Sequence, residues 1–170
     1  RKAVSELRKL LDDHDGDVSI GLSETRAKFG FGAVCLTSKL IDGTFPDYTR
    51  VIPGGNDRIM QVDASSFSAA VDRVSTISSE KSRSVKMGLK SGLLTLSASS
   101  TDASSATEEL EVSYDGPEMD IGFNARYLLD IAGQVNNDIV EFALADQGSP
   151  SLVRAPGDDA SLFVLMPMRV

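Results

Sequence analysis

Apolar residues recur along this chain with two periods, one helical and one of strands. Residues 1–11 read RKAVSELRKLL. At roughly 100° per residue, Ala3, Val4, Leu7, Leu10 and Leu11 gather on one side of a helix, with Arg1, Lys2, Arg8 and Lys9 opposite. Asp12-Asp13-His14-Asp15-Gly16-Asp17 stops that helix in an acidic turn, after which Val18, Ile20 and Leu22 alternate as a strand. A second strand is predicted beyond Ser23-Glu24-Thr25, with Ala27, Phe29, Phe31, Ala33 and Cys35 on one face. Gly30 and Gly32 occupy its other face, where a bulge or close backbone approach is expected.

From Leu40 to Asp57 the periodicity fails. Asp42-Gly43, Pro46-Asp47 and Pro53-Gly54-Gly55-Asn56-Asp57 are turn sequences that neither helix nor strand would keep, so this stretch reads as a crossing between domains, 1–52 and 53–170. The pattern then restarts. Asp63 and Ser65 can cap a helix carrying Phe67, Ala70, Val71, Val74 and Ile77 as its apolar stripe, with Arg73 off it. Strands are predicted at Val85/Met87/Leu89, at Leu94/Leu96/Ala98 after the turn Lys90-Ser91-Gly92, and at Leu110/Val112/Tyr114. Ser99 to Thr107, rich in Ser, Ala and Asp, is expected to be a mobile connection. Asn124 caps a predicted helix over 125–135 with Tyr127, Leu128, Ile131 and Val135 inward. Ile139 to Leu144, Leu152/Val153 and the last residues, after Ala155-Pro156-Gly157, complete the strands. This second part reads helix, strands, helix, strands, while residues 1–52 read helix, strand pair, linker, which suggests repeats of one α+β plan.

Composition narrows the function. The 170 residues are 41% hydrophobic and 25% charged, with no long apolar run, so no membrane span is expected. Cys35 is the single cysteine, which excludes an intrachain disulfide and favours a reducing, cytoplasmic setting; a small buried hydrophobe is its simplest role. A net charge of -8 means that any binding to nucleic acid needs a segregated basic face. The start at Arg1-Lys2, inside a helical pattern, looks like that of a truncated piece.

No constellation supports an enzyme. The one histidine, His14, sits among aspartates, with no cysteine near it for zinc and no calcium-loop ligand order. There is no Gly-x-Ser-x-Gly elbow, no phosphate loop and no dinucleotide fingerprint. Glu108-Glu109, adjacent on a strand, would point to opposite faces. No cofactor is implied.

Two stretches carry more information than the periodicity. Leu40-Ile41-Asp42-Gly43-Thr44-Phe45-Pro46-Asp47-Tyr48-Thr49-Arg50-Val51-Ile52-Pro53 closely resembles the interdomain segment of the bacterial replication sliding clamp, the beta subunit of DNA polymerase III. Phe163-Val164-Leu165-Met166-Pro167-Met168-Arg169-Val170 resembles the same family's C-terminus, at the expected distance. Against that family the chain covers the second half of the middle domain and all of the last.

The resemblance implies the clamp fold, paired helices packed on curved antiparallel sheets. It implies a processivity factor that encircles double-stranded DNA without sequence preference, with Arg1, Lys2, Arg8, Lys9 and Arg73 facing phosphates. It further implies a hydrophobic pocket for a short motif, roughly Gln-Leu-x-Leu-Phe, on the replicative polymerase subunit, the clamp loader and repair proteins. Pro46, Arg50 and Val51 would come to this pocket from the linker, and Asn124 and Tyr127 from the helix start. Val164, Leu165, Met166, Pro167, Met168 and Arg169 would come from the tail, with Gly148 and Pro150 in a bordering turn. Part of the pocket belongs to the first half of the middle domain. Thr76, Ile77 and Glu108 would lie at the contact between two full-length chains meeting head to tail as a homodimer. A peptide-binding adaptor of the same fold with no DNA role, and a small acidic hydrolase, are the competing expectations.

Overall fold

The structure, a computed structural model, describes residues 2–78, 83–100, 104–135, 137–158 and 160–169. The chain divides into two compact units, Arg1–Pro46 and Asp47–Val170, so residues 47–52 group with the second unit.

The first unit holds helix α1 (Lys2–Leu11) and strands β1 (Ser19–Leu22), β2 (Arg26–Phe31) and β3 (Val34–Lys39), antiparallel in the order β1-β2-β3. Where the alternation predicted one strand from Ala27 to Cys35, the chain reverses at Gly32-Ala33, with Phe31 opposite Val34 and Gly32 at φ +50°. A two-residue hairpin needs a left-handed position, which glycine adopts without a steric penalty. Apolar alternation runs unbroken through such a turn, and so hides it. The reversal sets Cys35 opposite Gly30 and leaves the thiol exposed, not buried as expected. Gly30 is a place of close approach: Ser19 Oγ donates to its carbonyl at 3.0 Å and would lie 2.8 Å from a Cβ there. On α1 the half-buried residues are Ala3, Leu7 and Leu11, a narrower stripe than predicted, while Val4 is 70% exposed.

In the second unit, β4 (Arg58–Asp63) leads directly into α2 (Ala64–Ser75), followed by β5 (Ser84–Lys90), β6 (Leu93–Ser99) and β7 (Ser105–Glu111). The order then repeats: β8 (Met119–Asn124), α3 (Ala125–Ala132), β9 (Ile139–Leu144), β10 (Ser151–Arg154) and β11 (Phe163–Leu165). The antiparallel sheets are β7-β6-β5-β8 and β11-β10-β9-β4. Each half is strand, helix, three-stranded meander, and the first strand of each half joins the other half's meander. Neither β4 nor β8 was predicted; each runs directly into a helix with no turn residues between to mark its end. Part of the expected mobile connection is strand, since β7 begins at Ser105; positions 101–103 lie outside the described residues. β7 ends at Glu111, short of the expected Tyr114, and Ser113 instead exchanges two 2.9 Å backbone bonds with Gln61 of β4. The last helix stops at Ala132, before the predicted 135.

Helices α2 and α3 pack on each other, and both sheets close over one core. Phe67 of α2 meets Phe142 of β9 edge-on, ring centroids 5.4 Å apart, and Met87, Leu96, Ile121 and Phe123 fill the other sheet's inner face. One carboxylate is nearly as buried: Glu141, 7% exposed, accepts from Gln61 Nε2 and Arg154 Nε at 2.8 Å each across β4, β9 and β10. Burial opposes its ionisation, but those hydrogen bonds and the Arg154 charge prevail and hold its pKa below the usual value.

At the start of α2, Asp63 Oδ1 accepts from Ser66 N and Ser65 Oγ at 2.7 Å, and bonds of this kind lower its pKa from 3.8 to about 2. A depressed folded-state pKa adds stability above the unfolded value that is lost as pH falls through the folded one. In urea titrations, the stability difference between the native chain and Asp63→Asn is therefore expected to be complete at neutral pH and to shrink between about pH 4 and about pH 2. Glu141→Ala, which strips two donors of their buried acceptor, is expected to cost about 2 kcal/mol in the same measurement.

Candidate functional site

The tail and α3 form the site's frame. Asn124 is both the last residue of β8 and the cap of α3, its Oδ1 accepting from Arg126 N at 3.0 Å, and the Arg83 carbonyl takes Ala125 N at 2.8 Å. The helix is thereby fixed at its first turn. Leu128, Ile131 and Ala132 point into the core; Tyr127, one position off that stripe, is 57% exposed, so the expected inward Tyr127 is corrected. Tyr127 stands at the edge of a groove of about 490 Å³ between α3 and β11, with Leu162 (46% exposed) and Met166 (60% exposed) beside it. Ile131 and Val164 line it further, Asp130 is its polar rim, and Leu165, 4% exposed, belongs to the core beneath. Three large apolar side chains open to water in one place suit contact with an apolar ligand.

A second depression, of about 550 Å³, is lined by Gly122, Gly148, Pro167, Met168 and Arg169. The tail leaves β11 after Leu165, Pro167 has no N–H to continue the ladder, and Met168 N then donates to Gly122 O at 2.8 Å. The bordering turn is prebuilt. Asp146 Oδ1 accepts from Gly148 N and Ser149 N at 2.8 and 2.7 Å, and Oδ2 accepts from Ser149 Oγ at 2.7 Å. Asn56 Nδ2 closes its neck, donating at 2.9 Å to Ala143 O and to Pro150 O.

The residues expected in one pocket therefore divide. Tyr127, Val164, Leu165 and Met166 line the first groove; Gly148, Pro167, Met168 and Arg169 line the second; Asn124 caps α3. Pro46 belongs to the first unit. Arg50 and Val51 line neither groove: Arg50 closes a 3-10 turn (Tyr48–Arg50) and pairs with Asp47 at 3.2 Å, and Val51 is exposed. Leu162, Ile131 and Gln147 were missed. The run Leu162-Phe163-Val164-Leu165 was the available signal, since its alternation leaves every second residue off the core.

Of the basic residues, Arg1 lies outside the described residues. Lys2, Arg8 and Lys9 are exposed on α1, and Lys9 meets Glu6 at 3.2 Å. Arg73 of α2 engages Glu108 of β7 with two bonds of 2.7 Å, which raises the pKa of Arg73 and lowers that of Glu108. Both residues, one expected to face DNA and one at a ring contact, are thus partners within this chain. Thr76 caps the C-terminal end of α2, its Oγ1 donating to Arg73 O at 2.7 Å, and Ile77 follows in the turn. Two arginines given no role by the sequence, Arg83 and Arg126, line a hollow of about 330 Å³ where α2 ends and α3 begins. Among the described residues no cluster of His, Cys, Asp and Glu could hold a metal, and no helix is long and apolar enough to cross a membrane.

The second unit carries two grooves on an α+β fold built of exchanged halves, and comparison with known proteins gives its family. Residues 49–169 match the C-terminal domain, and residues 1–47 the central domain, of the DNA polymerase III beta subunit; the chain belongs to this family. It is 50% identical over 170 residues to the beta sliding clamp of Caulobacter vibrioides and 33% to that of Escherichia coli K12. All of this chain aligns with each, but it spans only 46% of their length. Among solved structures, the sliding clamp of Bartonella birtlesii bound to griselimycin matches 99% of this chain with a TM-score of 0.92 at 53% identity. The Caulobacter crescentus pol III beta structure matches 99% with a TM-score of 0.93 at 50% identity, and 46% of each of those chains is covered.

The Asp146 clasp has its own pH dependence. Hydrogen bonds from Ser149 and Gly148 hold the carboxyl below its usual pKa, so the clasp is complete above the ordinary carboxylate value and opens as pH falls through the lowered one. Asp146→Ala is expected to speed hydrogen exchange at the Gly148 and Ser149 amides at neutral pH while leaving β9 amides protected.

Proposed function

We propose that this chain is the C-terminal part of a DNA sliding clamp, a non-catalytic processivity factor of bacterial replication that works in the cytoplasm. The observation that carries this reading is the match of both units, in order, to the beta-subunit domains. The complete protein would encircle duplex DNA as a head-to-tail homodimer, closed because the rotation between chains suits a ring. Retention would then be topological, with weak phosphate contacts from Lys2, Arg8 and Lys9, and from Arg83 and Arg126, permitting sliding. Thr76, Ile77 and the strand carrying Glu108 would face the neighbouring chain; β7 is an edge strand of its sheet, which suits pairing across such a contact.

The groove beside Tyr127 and Met166 and the depression beside Met168 and Arg169 would take the motif Gln-Leu-x-Leu-Phe from the replicative polymerase subunit, the clamp loader and repair proteins. Methionine and tyrosine suit that work, one adaptable and one an apolar body with a polar tip. A second reading, an adaptor that binds peptides without encircling DNA, draws on the pairing of Lys9 with Glu6 and Arg73 with Glu108, which spends basic charge inside the chain.

Full-length protein loaded by a clamp loader and ATP onto nicked circular DNA is expected to stay bound until the DNA is linearised and then to be lost; equal retention on both forms would mean ordinary surface binding, and none on either would favour the adaptor. Tyr127→Ala combined with Met166→Asp is expected to weaken binding of a motif peptide at least about tenfold, because a charge in an apolar groove opposes its occupant. Fluorescence anisotropy checks this, with an unchanged circular dichroism spectrum as the fold control.

A further inference from the structure

We propose that Arg73 is a positioning residue for ring closure: its fork with Glu108 locks the edge strand β7 to the end of α2, so that Thr76, Ile77 and β7 meet a second chain as one surface. This rests on the head-to-tail reading above. The surface is drawn from two elements, and Arg73 touches both. Its guanidinium Nε and Nη2 donate to the two carboxylate oxygens of Glu108, 35 residues along the chain, at 2.7 Å each. Its carbonyl accepts from Thr76 Oγ1 at 2.7 Å and from Thr76 N at 3.3 Å. The backbone of one residue thus closes the last turn of α2 while its side chain holds β7.

The alternation of β7 decides what Glu108 can do. Ser105, Thr107, Glu109 and Glu111 are exposed on the outer face, whereas Ala106, Glu108 and Leu110 are half-buried on the other, where Ala106 and Leu110 pack against the core. The Glu108 side chain is only 28% exposed, and the fork engages both of its oxygens, lowering its pKa and raising that of Arg73. Single-bonded surface pairs contribute little, but a planar fork of two bonds fixes distance and orientation together. β7 has use for such a hold, because its sheet pairs it on one side only, with β6. An arginine committed to this carboxylate serves the contact between chains and not a phosphate. The two roles that the family resemblance gives separately to Arg73 and Glu108 are therefore one.

The test is a double-substitution cycle in the full-length protein, read as the rate at which differently labelled dimers exchange subunits. Arg73→Gln and Glu108→Gln are each expected to speed exchange about fivefold, and the two together no more than either alone, because each removes the same fork. Both side chains lie at the surface, and an unchanged circular dichroism spectrum is the fold control. Binding of Arg73→Gln to short linear duplex should keep the salt dependence of the unaltered protein. Effects that add would show that the two residues act separately and would overturn the proposal. So would exchange that Arg73→Gln leaves unchanged or slows, or a salt slope that falls by about one, which would return Arg73 to DNA. Each of these results leaves the head-to-tail reading standing; failure of the unaltered full-length protein to form a dimer would overturn both.

Discussion

Both helices of the second unit start from a strand with no loop between, and this joint constrains everything built on them. Asp63 ends β4 and caps α2; Asn124 ends β8 and caps α3. In each case one side chain satisfies an amide that the helix start leaves without a partner, at the residue where extended backbone gives way to helix. A connection of several residues would let a helix rotate about its axis. A joint of no residues ties the rotation to the pleat of the strand, so the face each helix turns to the core is set by sheet register.

The first groove is a product of that constraint. Because α3 cannot rotate independently of β8, Tyr127 is held off the core stripe and stands over the tail, where Met166 and Leu162 meet it. The tail is fixed from two sides, by β10 through Leu165 and by β8 through Met168. Between these anchors lies Pro167, which needs no ladder partner. On α2, the fork between Arg73 and Glu108 ties the helix to β7, the outermost strand of the opposite sheet. Charge that a sequence reading assigns to outside partners thus also serves inside the chain.

Elements with an unbroken period were legible: α2, β5, β6, β9 and the turn at Gly92, whose φ of +72° is what a two-residue hairpin asks for. What escaped did so for physical reasons. The alternation from Ala27 to Cys35 is the same whether the chain runs straight or folds back at Gly32, because a two-residue turn preserves the period of two. β4 and β8 have no turn residues before their helices, so the pattern showed the caps Asp63 and Asn124 and left the strands that end in them unassigned. Of the candidate site, the tail and Tyr127 were named only as what the family resemblance implies; periodicity alone placed Tyr127 inward, and the structure exposes it at the rim of a groove. The Arg73–Glu108 pairing and the partition of the pocket residues into two grooves join positions far apart in sequence. Such contacts arise only from topology.

The exchange of first strands between the two halves carries a consequence of its own. Each half lends β4 or β8 to the other half's meander, so cutting the unit between β7 and β8 would leave two pieces, each with a three-stranded sheet lacking its fourth strand and a helix whose launching strand has no neighbour. Neither piece holds a closed core, and each would offer a bare strand edge to any chain nearby. The two halves have the relation of domain-swapped protomers fused into one chain. Such a unit should melt in one step, and mixing its separated halves should regenerate the fold by complementation, each strand finding the vacancy that the other half presents.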